Sequence, residues 1–181
     1  ALLDAKLEPL TLADENGWQV YRRTLCFLLA KVLHEHFPTA HCRVRQSFGH
    51  NALYWSWDVP EQEREVKTAA LRAYLAELIE QDVPISHRLA GYEQIVSLFK
   101  ESGQMDKVNL LAHRNPPYLA LVTCGDFYDL PQGALALRSG VLPNTCSSMR
   151  REIYTRCTLT VQCPYSEKTF LTVAKKAALL S

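Results

Sequence analysis

The chain reads as an α+β domain, a mainly antiparallel sheet packed by a long helix. Three observations predict it. Apolar residues recur at helical spacing over 18–37, two strand-like runs at 42–48 and 52–57 flank Gly49-His50-Asn51, and a largely apolar run fills 118–123. Strands joined by a short turn pair antiparallel, and a helix with a broad apolar stripe needs another layer to cover it.

The first helix is predicted from Trp18 to Phe37, with Val20, Thr24, Phe27, Leu28, Lys31, Val32 and Phe37 near helical spacing and Leu25, Leu29 and Leu33 widening the stripe. Asp14-Glu15-Asn16-Gly17 is turn chemistry before it, and Pro38 ends it. After the 42–57 hairpin, Asp58 to Glu61 has the form of a capping box with Pro60 in the first turn. The helix that follows runs to about Gln81, with Val66, Ala70, Tyr74, Leu75, Leu78 and Ile79 on its apolar side.

Residues 84–89 are predicted extended, 92–102 a short helix stopped at Gly103, and 107–113 a further turn or two. Pro116-Pro117 breaks the chain before the 118–123 strand, and Phe127 to Leu130 continues the sheet after a turn at Gly125. Residues 153–161 alternate as a strand, and 166–180 read as a helix. The expected organisation is a lead-in over 1–17 (a linker or the tail of an upstream domain), a core over 18–145, and an extension over 146–181 toward a downstream domain. The first helix is expected to lie across one sheet holding both the 42–57 hairpin and the 118–123 strand.

Composition bounds the function. With 181 residues, 48% of them hydrophobic, the chain can bury a core without disulfides or metal. A formal net charge of +1 gives no field that demands a nucleic acid or an anionic membrane. No run approaches the roughly 20 apolar residues that span a bilayer, and the first ten lack the pattern of a secretory signal. A cytoplasmic location is expected. The six cysteines are irregularly spaced with no CxxC pair, so they are read as reduced thiols packed as small hydrophobes.

The motifs of chemistry are mostly missing. No two of the seven glycines stand one residue apart, so GxGxxG cannot be written, and no Gly-Lys-Ser/Thr occurs. His34 and His36 point about 200° apart on a helix and cannot grip one ion from it. His50 falls in a turn, and His87 and His113 are isolated. Cys124 ends an apolar strand and is read as structural, and Trp55 and Trp57 as sheet cover rather than a stacking platform.

Two segments carry a resemblance: Tyr21-Arg22-Arg23-Thr24-Leu25-Cys26-Phe27-Leu28-Leu29-Ala30, and Cys124-Gly125-Asp126-Phe127-Tyr128-Asp129-Leu130. Together they resemble the second additional domain shared by threonyl- and alanyl-tRNA synthetases, most nearly in the form found upstream of the kinase domain in bacterial uridine-kinase-like nucleoside kinases. The resemblance covers about Val20 to Leu142, with Ser139-Gly140 where the family carries Ser/Thr-Gly.

It implies a domain that hydrolyses mischarged tRNA. Two histidines four apart on the first helix, and a cysteine and histidine four apart after the Gly-Asp-Phe motif, would form the site. Here the first pair falls on Arg23 and Phe27, the second on Pro131 and Leu135. Phe, Pro and Leu can neither bind metal nor move a proton, and Arg stays protonated.

The resemblance therefore implies a non-catalytic accessory domain with no cofactor and no bound metal. Its degenerate cleft would be framed by Arg23, Phe27, Asp129, Gln132 and Leu135, with Arg23 and Asp129 pairing across it or framing a small-ligand pocket. A P-loop kinase domain would follow downstream in the parent protein. Two other readings stay open: a trans-acting aminoacyl-tRNA editing hydrolase with a rearranged site, and an RNA-binding module using Arg22, Arg23, Arg43 and Arg45.

Overall fold

The computed structural model describes residues 11–12, 14–40, 42–45, 54–113 and 116–142, with β1 and β2 described as backbone. The elements run α1 (Glu15–His36), β1 (Cys42–Arg45), β2 (Tyr54–Trp57), α2 (Glu61–Glu80), β3 (Ser86–Gly91), α3 (Tyr92–Glu101), α4 (Met105–Ala112), β4 (Tyr118–Cys124), β5 (Phe127–Asp129) and a short 3-10 turn (Ser139–Val141). The fold is α+β, and every described strand pairing is antiparallel. The expectations for 153–161, 166–180 and the Gly49-His50-Asn51 turn lie outside the described residues, as do the side chains of Trp55 and Trp57.

Strand β4 organises the molecule. It pairs with β3 from Ser86↔Thr123 to Gly91↔Tyr118, and with β5 at Val122↔Asp129, Thr123↔Tyr128 and Cys124↔Phe127. Successive side chains leave a strand on opposite faces. Leu121 accordingly joins Ala90, Ile95, Phe99 and Leu111 in a cluster under α3 and α4. Val122 and Cys124 join the other cluster, with Leu25, Leu28, Leu29 and Val32 of α1 and Leu71, Leu75, Leu78 and Ile79 of α2. Leu121 and Val122 are both fully buried, so the sheet is covered on both sides here.

The expected single sheet is two sheets among the described residues: β1–β2, and β3-β4-β5. Both edges of β4 are taken, by β3 and β5. Among the described residues β1 and β2 pair only with each other, in the register Cys42↔Trp57 to Arg45↔Tyr54.

Helix boundaries differ from the sequence reading for local reasons. Asp14 to Gly17 is the start of α1 rather than a turn before it. Thr11 N–H and Oγ1–H donate to Asp14 Oδ2 at 2.8 and 2.9 Å, and these bonds hold the Asp14 carboxyl below its usual range. Gly17 is required inside the helix, because a Cβ there would stand 1.9 Å from the Thr11 carbonyl oxygen. The expected capping box does not form. Pro60 is the N-cap residue of α2, and no side chain caps it.

Val66 and Tyr74 are exposed, at 72% and 36%, against expectation. The buried face of α2 lies in its second half, where Leu71, Leu75 and Leu78, at i, i+4 and i+7, join the core cluster that also holds the apolar face of α1. Tyr74 instead stacks on His36 at 3.7 Å.

The segment after β5 is held by a short backbone pairing, Ile85 N–H to Leu137 O at 2.8 Å and Ser139 N–H to Val83 O at 2.9 Å, and by two buried hydroxyls. Thr24 Oγ1 donates to Val20 O at 2.7 Å and accepts from Ala136 N–H at 2.8 Å. Ser139 Oγ donates to Leu78 O and accepts from Val83 N–H, both at 2.7 Å. Around Ser139, Asp82 at φ 48° accepts from Gly140 N–H and from Arg138 Nε–H.

Ser139→Ala should therefore cost about 2 kcal/mol, since it strands a buried carbonyl and a backbone N–H at once. Denaturant unfolding of the variant checks this; a loss below about 0.5 kcal/mol would contradict the role assigned to the hydroxyl.

Candidate functional site

The site implied by the resemblance is the seam between α1 and the 131–136 segment. Helical spacing puts Arg23 and Phe27 one above the other on one face of α1. Phe27 is buried at 6% exposure, and its ring meets Phe127 of β5 at 5.5 Å. Leu135 packs against the same core cluster. The Thr24–Ala136 bond lies between these contacts and ties the segment to the helix.

Arg23 is half-buried and lies over Gly133. A Cβ on Gly133 would meet Arg23 Nη1 at 2.8 Å, Cζ at 2.9 Å and Nε at 3.2 Å. Gly133 also has φ +132°, a backbone conformation that suits glycine. Pro131 is half-buried and Gln132 is exposed in the same segment.

The structure thus brings Arg23, Phe27 and Leu135 to one seam, with Gln132 beside it. Asp129 is engaged elsewhere. Its Oδ1 bonds Lys107 Nζ of α4 at 2.6 Å and accepts the Leu130 N–H at 2.7 Å. The expected Arg23–Asp129 pair is therefore corrected: Lys107, which the sequence reading did not consider, takes the carboxylate. Nothing in sequence separation marks that pair, because Lys107 and Asp129 meet only once α4 folds back beside β5.

Cys124 is fully buried, and burial pushes its thiol up; nearby Lys31 offsets this in part. A thiol so shifted stays protonated at neutral pH and is a poor nucleophile. Lys31 is itself buried and paired with Glu35 one turn on. His34 lies against the Phe127 ring at 5.5 Å. Cys26 is also a free thiol raised by burial. Among the described residues, no group of three or more His, Cys, Asp or Glu side chains is placed to hold a metal ion. No helix among them is long and apolar enough to cross a membrane.

No family model matches the chain. It is similar to the threonine–tRNA ligase of Symbiobacterium thermophilum, with 30% identity over 132 residues. That match covers 72% of this chain and 20% of the ligase. The threonine–tRNA ligases of Nitrosococcus oceani (28% identity, 72% of this chain, 20% of the ligase) and Marinobacter nauticus (26%, 77% and 22%) match similarly. The chain is thus related to a region of threonyl-tRNA synthetases, and spans about a fifth of the length of these relatives.

A double-mutant cycle separates the two pairings of Asp129. Asp129→Ala and Lys107→Ala should each destabilise by about 1–2 kcal/mol and couple by roughly 1 kcal/mol, because they share a partly shielded ion pair. Asp129→Ala and Arg23→Ala should add within about 0.5 kcal/mol. Unfolding curves showing the reverse pattern would restore the Arg23–Asp129 pair.

Proposed function

We propose that this chain is a non-catalytic accessory domain of synthetase ancestry, with the editing residues lost, that contacts substrate or RNA or serves a structural role in its parent. The observation that carries this is the state of the four positions where the resemblance places the catalytic set. Phe27 and Leu135 are packed into the apolar core, Arg23 lies on the Gly133 backbone, and Pro131 has no group to donate or accept a proton. Hydrolysis of an ester link needs a base or an activated water at that point, and these residues offer neither.

The parent protein is read as a bacterial uridine-kinase-like nucleoside kinase whose catalytic domain lies outside this chain. Support comes from Tyr21-Arg22-Arg23 and the Gly125-Asp126-Phe127-Tyr128-Asp129 run, the forms that resemble the kinase-associated version of the domain. The competing reading, a trans-acting editing hydrolase with a rearranged site, draws no support from Cys124 or His34, since one is a buried protonated thiol and the other is packed on a ring.

The purified chain should release amino acid from mischarged tRNA no faster than the uncatalysed rate. Turnover that disappears in Asp129→Ala with folding intact would overturn the proposal. The kinase assignment stands apart: the parent protein should phosphorylate a nucleoside from ATP, and failure there removes the kinase context alone.

A further inference from the structure

We infer that Arg23 is the anchor of a carboxylate-binding site on the seam between α1 and the 131–136 segment. The inference rests on the reading above, in which this seam no longer holds catalytic residues, and gives the cleft a ligand class.

The guanidinium lies close over Gly133. Its Nε, Cζ and Nη1 atoms stand 3.2, 2.9 and 2.8 Å from the point a Gly133 Cβ would occupy. If that point lay in the guanidinium plane, beyond the edge between the two nitrogens, Cζ would be the most distant of the three. It is not, so the face of the group lies against Gly133. The N–H bonds lie in the plane and are directed away along the seam. A guanidinium held by its face presents its donors as a fork, the arrangement that takes two oxygens of one oxyanion at once.

The fork has no acceptor among the described residues. The other acid-bearing residue of the cleft, Asp129, is bound to Lys107 and the Leu130 N–H. The described ion pairs of Lys31, Lys67 and Arg138 use Glu35, Glu63 and Asp82. Arg23 therefore contributes a half-buried positive charge with no described counter-ion. Burial beside apolar side chains weakens solvation of such a charge and strengthens its attraction for an anion.

The size of the charge selects the ligand. Arg22, the next cation along α1, is turned about 100° around the helix and faces elsewhere. One guanidinium neutralises one negative charge, which matches a carboxylate rather than a phosphate monoester dianion. Gln132, next to Gly133, is exposed in the same segment.

The test is titration of the whole chain with acetate, with an acetylated dipeptide bearing a free C-terminus, with the same dipeptide amidated, and with inorganic phosphate. The Arg23 Nε–H and Gly133 amide signals are followed by NMR. Acetate or the free-terminus dipeptide should shift both signals saturably, and whichever binds tighter identifies a free acid or a chain end as the source. The amidated dipeptide should not bind, and phosphate should bind more weakly. Arg23→Gln should weaken carboxylate binding by roughly tenfold or more, and Arg23→Lys, which keeps the charge without the fork, by several-fold.

No saturable shift in the parent chain, tighter binding of phosphate, or unchanged binding in a folded Arg23→Gln or Arg23→Lys variant each overturns the inference. None of these readouts depends on tRNA hydrolysis, so the inference and the non-catalytic reading fail separately.

Discussion

Burial of β4 on both faces is the constraint on which the rest of the structure depends. A strand sends alternate side chains to opposite sides, so Leu121 and Val122 cannot share a core. Both are nonetheless fully buried. Two separate layers must therefore exist, α3 with α4 over Leu121, and α1 with α2 over Val122 and Cys124. The same requirement places α1 against β5, since Phe127 extends the Cys124 face and meets Phe27 and His34. The seam discussed above exists because α1 is pinned at this point.

Among the described residues, the segment leaving β5 then meets both long helices with only one short backbone pairing of its own, at Pro84–Arg138. Buried hydroxyls add to that pairing locally. Thr24 binds Ala136 to α1, and Ser139 binds Val83 and the Leu78 carbonyl of α2. Between those two anchors the backbone is fixed on the helix surface. Phe27 and Leu135 pack against the apolar core beside these anchors, while Arg23 and Pro131 stay half-buried and Gln132 is exposed.

Much of this was legible in the sequence, for a definite reason. Hydrophobic period identifies elements that bury one face, which is why α1, α3 and β4 stand out. The sequence was less informative where a neighbour decides the outcome. Val66 looks like part of an apolar stripe, but its side chain is exposed. Asp14 to Gly17 has turn composition, yet the approach of Thr11 O explains the glycine inside a helix. The pairing of Asp129 with Lys107, and the division of the strands into two sheets, depend on contacts between distant segments that no local pattern encodes. Thr24 and Ser139 were both visible, one within the α1 stripe and one in the Ser-Gly pair, but their bonds to Ala136, Val83 and Leu78 follow only from the fold.

The central claim is that Phe27, at a position where the resemblance implies a histidine, is a core residue. Residues kept for chemistry are commonly replaced with little loss, or even a gain, in stability, whereas core residues are not. Phe27→His restores the residue type that the resemblance places there, and measuring its unfolding free energy separates the two cases. The account predicts a loss of roughly 3 kcal/mol, from lost contact with Phe127 and a buried polar ring. Unchanged or increased stability would contradict it and return Phe27 to the lining of a working cleft.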